Sequence, residues 1–490
     1  MSKIAIIGSG IGGLAAGCYA RMNGLESVIL EKADKPGGLC TSWGKGDYIF
    51  DGCIRHLAGL KPGTPLNNMW KDIGAMTSGI HFPEELVKAV DEKGNELTVF
   101  YDLEKLEAEM KRISPEDSKP IEDYIRAIRR LSNTDLMEVG FWSFRDWLRN
   151  ISVLIKNRKV SKYSMLSFAQ RFKSPVLRAF FPVIQYGWAN IPLTLNLGVM
   201  AGSVGKRYGR YLGGSAEFIK SVADRYTSLG GEILYNSSVE RIIEDSGKAV
   251  GVRLENGTEI SANYVISDAY GYDTFMKMID ERHLTDRLRS MYSKPIDRMM
   301  MGLNVSFGVN MDLSDKPNAI SFFLDEPIEI AGDNCSIINL LNYSYDKKLA
   351  PKGKTSIKAM YDTYYSYWEE LSKDQKKYEE EKAIIASRTI EAIERFIPGI
   401  GEAVEVTDVA TPITTERFTS NARGYGSKED FRLRDTLKGF LNKPMTLKSL
   451  KNFFVIGHSI GGTNLYGCAA MGRNTIRRIC KMEHRNFVAS

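Results

Sequence analysis

The residues of this chain best suited to chemistry lie within its first thirty-one positions. They are the run Ile4-Ala5-Ile6-Ile7, the cluster Gly8-Ser9-Gly10-Ile11-Gly12-Gly13, an alanine-rich stretch to Met22, Asn23-Gly24, the run Val28-Ile29-Leu30, and Glu31. In order these read as strand, glycine turn, helix, helix stop, strand and acid, the spacing that binds the diphosphate of a dinucleotide. Only glycine leaves room for the tight turn at Gly8, for close approach of a diphosphate at Gly10, and for helix against strand at Gly13. Ile11 and Gly12 complete the turn, where the helix dipole favours an anion by about 0.3 to 2 kcal/mol. Glu31, followed by Lys32, can accept hydrogen bonds from a ribose, and its charge repels a 2′-phosphate, which favours FAD or NAD over NADP. Directly after it, Gly37-Gly38-Leu39 lets backbone approach a second part of the nucleotide. His56 is the leading candidate for proton transfer, because an unperturbed imidazole titrates near 6.5; Arg55, Tyr425 and His458 are weaker ones.

The elements that position these residues recur in blocks. Residues 104–112 and 121–131 read as helices within a polar helical stretch that begins near residue 84. Residues 218–226 form an amphipathic helix that feeds short strands at 232–235, 239–244, 249–254 and 259–266. Strand-like runs at 301–307, 320–324, 336–341 and 356–361 precede a helix over 373–397, with Ile385, Thr389, Ala392 and Phe396 on its apolar side. A buried strand at 453–458 leads into a helix over 466–479 that opens with small residues. With 490 residues, two or three interleaved units are expected.

The charge of +6, from 66 Lys and Arg against 60 Asp and Glu, argues against a nucleic-acid protein and tolerates contact with anionic lipid. Nine basic residues and the single acid Asp146 lie between residues 145 and 178, interleaved with aromatic and aliphatic residues, and Phe144, Trp147, Phe168, Phe172, Phe180, Phe181, Tyr186 and Trp188 fall in or beside this stretch. These aromatics, with Phe141 and Trp142, suit either a core or an apolar channel. The basic residues suit either a solvated face or a helix dipping into a membrane surface. The six cysteines are scattered, without metal-ligand spacing, and suit reduced buried thiols. A first strand at about residue 3 leaves no room for a signal peptide, and no apolar run approaches the roughly 18 residues of a spanning helix, so a cytoplasmic protein is expected.

Across residues 3–59, 212–268 and 452–478 the chain resembles the FAD-dependent phytoene desaturase, carotenoid isomerase and retinol saturase group of the amine-oxidase-like flavoproteins. The resemblance implies an α/β fold. A Rossmann-type FAD-binding domain (1–83, 206–269 and 426–490) would be interleaved with a mixed α+β substrate domain (84–205 and 270–425). It places Gly8, Gly10 and Gly13 at the pyrophosphate, Glu31 at the adenosine ribose, Gly37 and Gly38 in a second glycine motif, and Val239 with its backbone at the adenine. Gly457, Gly461 and Gly462 would pass the ribityl chain and flavin ring, followed by Met471-Gly472-Arg473-Asn474. Arg417, Asn421 and Tyr425 fall in the segment the family uses to line its cavity. Two residues depart from the pattern: Leu39 stands where many members carry Arg, and His458 where many carry an acid, though an imidazole can still hydrogen-bond a ribityl hydroxyl.

The implied activity is hydride transfer between FAD and a carbon–carbon bond of an apolar polyene or isoprenoid, as desaturation, saturation or isomerisation. With no second Gly-x-Gly-x-x-Gly sequence, the electron partner is expected to be a quinone, oxygen or a transiently bound nicotinamide. Association with the inner face of a membrane would give access to the substrate. A flavin amine oxidase, which would need an aromatic cage and a lysine near the flavin N5, and a non-catalytic lipid- or prenyl-binding protein are the alternatives on the same fold.

Overall fold

A computed structural model describes the chain except for residues 1, 135, 186, 294–296, 420, 422–441, 462–463 and 490. Its organising element is a parallel five-stranded sheet in the order Glu232–Leu234, Glu26–Leu30, Lys3–Ile7, Tyr264–Ser267, Phe453–Val455. Ile4 sits between Ser27 on one side and Tyr264 on the other. These strands are apolar at consecutive positions because both faces of the sheet are covered. Ile4 and Ile6 point into a core shared with Leu14, Phe218 and Ile476, from the helices Ile11–Met22, Gly214–Ser228 and Asn464–Met482. Ala5 and Ile7 point the other way, onto Val239, Ile242 and Val252 of a small antiparallel sheet, Val239–Asp245, Lys248–Leu254 and Glu259–Ser261.

The continuous strand expected over 259–266 is two. Glu259–Ser261 ends the antiparallel sheet and Tyr264–Ser267 enters the parallel one. Asn263 makes the switch: its backbone N–H donates to the Lys3 carbonyl at 2.8 Å, and its side-chain oxygen accepts from Lys3 N at 2.8 Å.

A second, mixed sheet has the order Val404–Ala410, Arg298–Val309, Thr355–Tyr364, Asp333–Asn342, Ala319–Ile330, Glu85–Asp91, Glu96–Phe100. Its last two strands correct the helical reading from residue 84. Leu86, Val87, Ala89, Leu97 and Val99 are buried, and Asp91 closes the turn by accepting from Lys93 N at 3.0 Å and Asn95 N at 2.8 Å. The helix Gln375–Glu394 covers one face through Ile385, Thr389 and Ala392, with Phe396 stacked on Phe322 just beyond it. Helices Leu103–Ile113, Ser118–Leu131 and Leu193–Val204 build another core with Phe168, Phe172, Phe180 and Phe181.

The closing helix Asn464–Met482 crosses the first helix at contact distance. A Cβ on Gly472 would run into the Gly12 carbonyl oxygen and lie 2.8 Å from Ala16 N. Because backbone cannot yield as a side chain can, Gly472→Ala is expected to destabilise the protein by about 1 to 3 kcal/mol, the usual cost of overpacking. Urea denaturation measures this, and a variant as stable as the parent would contradict the contact.

Candidate active site

The first turn of helix Ile11–Met22 forms an anion cradle of backbone N–H groups. Gly8 lies at φ +93°, and a Cβ on Gly13 would collide with the Gly8 carbonyl oxygen, so the strand-to-helix turn is closed as tightly as the sequence implied. Ser9, fully buried, links this turn to the acid at the tip of the second strand. Glu31 Oε2 accepts from Ser9 N at 2.8 Å and from Ser9 Oγ at 2.5 Å, and its Oε1 accepts from Ala33 N at 2.9 Å. The carboxylate is thereby aimed at the turn.

The second glycine block is tied to the same turn. Gly37, at φ +127°, donates its N–H to the Ser9 carbonyl at 3.0 Å. Gly38 at φ +56° is exposed, Leu39 is half-buried and Lys32 is exposed. Val239 is buried, two residues after Ser237, whose N–H donates to the Glu31 carbonyl at 2.8 Å. On the far side, Ile456 N donates to Ser267 O at 2.8 Å and brings Gly457, at φ +99°, to the cradle. His458–Ile460 forms one 3-10 turn, burial pushes the His458 imidazole below its ordinary pKa, and Gly461 follows at φ +109°. Gly462 and Tyr425 lie outside the described residues.

His56 stands elsewhere, on a cavity of about 400 Å³ lined with Phe82, Phe100, Tyr101, Lys105 and Tyr208. Its Nε2 is 3.1 Å from the Tyr101 hydroxyl. Burial, and then the charges of Arg210 and Arg55, lower its pKa to about 3. At neutral pH it is a neutral hydrogen-bonding ring, not the half-protonated acid–base expected from an unperturbed imidazole. Arg55 donates to the Met301 sulfur. Arg417 is exposed on the helix Pro412–Thr419, and Asn421 is half-buried with its N–H on Thr419 Oγ1 at 3.3 Å. Among the described residues, neither lines the His56 cavity.

Four polar residues without an individual role in the sequence reading shape these sites. Besides Ser9, Asp268 follows the strand beside the first one, and its Oδ2 accepts from Gly13 N at 2.8 Å. Asp51 Oδ1 accepts from Ser42 Oγ at 2.8 Å and from Ser215 N at 2.7 Å, at the start of helix Gly214–Ser228. Lys358 is 2 % exposed, donates to the Asp51 carbonyl and lies 5.9 Å from the Tyr343 ring centre. Burial and the Arg55 charge lower its pKa to about 8. Its signal was a lone cation inside the strand-like run 356–361; Asp268 was an acid closing an apolar strand.

The depressed His56 pKa fixes a sign. The unfolded chain takes a proton near pH 6.5 that the native chain refuses down to about 3, so this group's contribution to stability is complete above 6.5 and is lost as pH falls. Denaturation midpoints measured from about pH 7 to pH 4 should fall less for His56→Gln than for the parent, and the His56 ring resonances should stay flat between about pH 5 and pH 8. A titration midpoint near 6.5 would contradict the assignment.

Residues 6–73 match the sequence pattern of an NAD(P)-binding Rossmann-like domain. The chain is 25% identical over 481 residues to the chloroplastic prolycopene isomerase of Daucus carota, covering 93% of this chain and 76% of that protein. It is 26% identical to the neurosporene-forming phytoene desaturase of Cereibacter sphaeroides (85% and 83% covered) and 23% identical to the all-trans-retinol 13,14-reductase of Danio rerio (86% and 77%). Among solved structures, putrescine oxidase shares the fold, with a TM-score of 0.61 at 14% identity over 98% of this chain and 99% of that one. Over most of its length the chain is thus similar to prolycopene isomerases, phytoene desaturases and a retinol 13,14-reductase, and it shares its fold with putrescine oxidase.

Proposed function

We propose that this protein is an FAD-dependent oxidoreductase that transfers hydride between flavin N5 and a carbon–carbon bond of an apolar polyene or isoprenoid, in desaturation, saturation or isomerisation. The observation that carries the reading is the cradle. Gly8 to Gly13, Glu31, Gly37 and Gly457 come from distant stretches of sequence and meet around one helix N-terminus, with the ribose acid already oriented. Residues 1–83, 206–269 and 426–490 would then form the FAD-binding domain, and 84–205 with 270–425 the substrate domain.

FAD supplies the hydride chemistry when bound. In this reading the N–H groups of the glycine turn hold the diphosphate, Glu31 holds the ribose, and the Gly457–Gly461 backbone passes the ribityl chain. At the cavity, Phe82 and Phe100 supply apolar surface, while the neutral His56 and Tyr101 hold one proton between Nε2 and the hydroxyl. A quinone, oxygen or a transiently bound nicotinamide would exchange the electrons. The amine-oxidase alternative needs an aromatic cage and a lysine near the flavin N5, and Lys358 is buried 5.9 Å from the Tyr343 ring centre.

The aromatic and basic stretch divides in two, which supports membrane contact. Phe168, Phe172, Phe180 and Phe181 are core, whereas Phe144, Trp147, Leu148, Ile151 and Ile155 are exposed on helix Phe144–Ser161, at the spacing of one helix face. Arg145, Arg149, Lys156 and Lys159 are exposed on the same helix, and Asn157 is its one buried residue. Among the described residues no helix is long and apolar enough to cross a membrane. This helix suits lying in the headgroup layer of an anionic membrane, from which an isoprenoid is collected.

The purified protein should be yellow and release FAD on heating, then turn over polyenes under anaerobic or aerobic conditions; turnover of amines instead would favour the amine oxidase. A colourless protein that takes up no added FAD would leave the lipid carrier. In sedimentation with vesicles containing phosphatidylserine, Trp147→Ser with Ile151→Ser should lower binding at least about tenfold, a loss of roughly 1.4 kcal/mol. Equal binding by parent and variant would rule out this helix as the anchor.

A further inference from the structure

The cradle already contains an anion of the protein's own. Asp268 leaves the strand Tyr264–Ser267 with its N–H on the Ile7 carbonyl at 2.8 Å, and its side chain turns across the start of helix Ile11–Met22. Oδ2 accepts from Gly13 N at 2.8 Å. The same carboxylate fills the space that side chains would need on three glycines. A Cβ on Gly10 would lie 2.6 Å from Oδ2, one on Gly12 would lie 2.5 Å from Oδ1, and one on Gly457 would lie 2.6 Å from Oδ1. Two of these glycines belong to the turn read as holding the diphosphate, and the third to the segment read as passing the ribityl chain. Asp268 therefore lies where both approach.

The groups facing it add negative charge or none. The glycine turn offers backbone N–H only, the second strand offers Glu31, and the closing segment and its helix offer Cys468 and, next to Gly457, His458 with its pKa held down by burial. A diphosphate entering beside an ionised Asp268 and Glu31 would meet two carboxylates in a poorly solvated space, against the gain from the helix dipole. A protonated Asp268 removes one charge and supplies an O–H that a phosphate oxygen can accept.

Resting on the reading of the cradle as an FAD site, we propose that Asp268 is a cofactor-positioning residue that accepts a proton as the dinucleotide binds and donates it in a hydrogen bond to the diphosphate, so that loading is coupled to uptake of one proton. Burial, opposed by the Gly13 and Gly12 N–H groups and reinforced by Glu31, raises its pKa to about 7, which puts the coupling within reach of ordinary pH. Above that range the ionised carboxylate competes with the diphosphate for the helix N-terminus.

The experiment titrates flavin-stripped protein with FAD across about pH 6 to pH 9, following flavin fluorescence, and repeats the titration by calorimetry at about pH 8 in buffers of different ionisation enthalpy. The expected result for the parent is a Kd that rises about tenfold per pH unit above 7, with close to one proton taken up per FAD. Asp268→Asn, which keeps the shape and loses the charge, should bind with a Kd nearly independent of pH and tighter than the parent at the alkaline end. Binding by the parent with a flat pH profile and no proton uptake would overturn the proposal without any variant, as would an Asn variant that folds and keeps the slope. Failure of both chains to bind FAD at any pH would overturn the cofactor reading and this inference with it, an outcome distinct from binding without proton uptake.

Discussion

The nucleotide side of this molecule depends on backbone meeting backbone at Gly12. On one side its carbonyl oxygen touches the place where a Gly472 side chain would be; on the other, its own missing side chain leaves space for the Asp268 carboxylate. The first helix is thus pinched between the C-terminal helix and the residue that follows a neighbouring strand. Packing at this separation is stiff, because peptide groups have no rotamers with which to relieve a clash. Small sequence features at widely separated positions therefore act together: Gly12, Gly472 and the turn that carries Asp268 form one mechanical unit, and the cradle's shape follows from it.

Charge is handled in opposite ways at the two candidate sites. In the cradle, Glu31 and Asp268 are met by backbone N–H groups of Ser9, Ala33 and Gly13. Such dipoles are fixed by the fold and cost no side-chain entropy to align. Around His56 and Asp51 the cations are long side chains. Arg55 and Arg210 act on His56, Lys358 is tied to the Asp51 carbonyl, and the Arg210 guanidinium lies 5.1 Å from the Tyr345 ring centre. Basic groups among tyrosines thus hold a neutral imidazole beside a cavity that Glu84, Asp102, Lys105 and Lys206 also line.

Strand, turn, helix and acid over the first thirty-one residues were legible because each needs particular residue types at fixed spacing, and the strands 301–307, 320–324, 336–341 and 356–361 were legible as apolar runs. The hairpin from Glu85 to Phe100 was not, since its charged, half-exposed strands owe their conformation to pairing with the distant strand Ala319–Ile330. The break at Asn263 was hidden for a related reason: the apolar pattern is continuous there, and only the hydrogen bonds to Lys3 show that the chain changes sheets. At the sites, glycine spacing pointed to the cradle, whereas the environment of His56 depends on Arg210, Tyr101 and Arg55, which the fold assembles. In the aromatic stretch, burial separates core from surface where composition alone could not.

The parallel sheet also sets an order of events during synthesis. Its outer strand, Phe453–Val455, and the helix that presses Gly472 against Gly12 come from the end of the chain, while the strand they complete, Tyr264–Ser267, is made far earlier. A nascent chain must hold that strand with one edge unpaired until residues 453–455 have been made, which makes the growing polypeptide reliant on protection from edge-to-edge association. Since Gly457 and Gly472 follow that strand by about two hundred residues, the cradle is complete only once both are in place. Shortening the chain at its C-terminus would therefore leave a sticky sheet edge, not a smaller version of the same molecule.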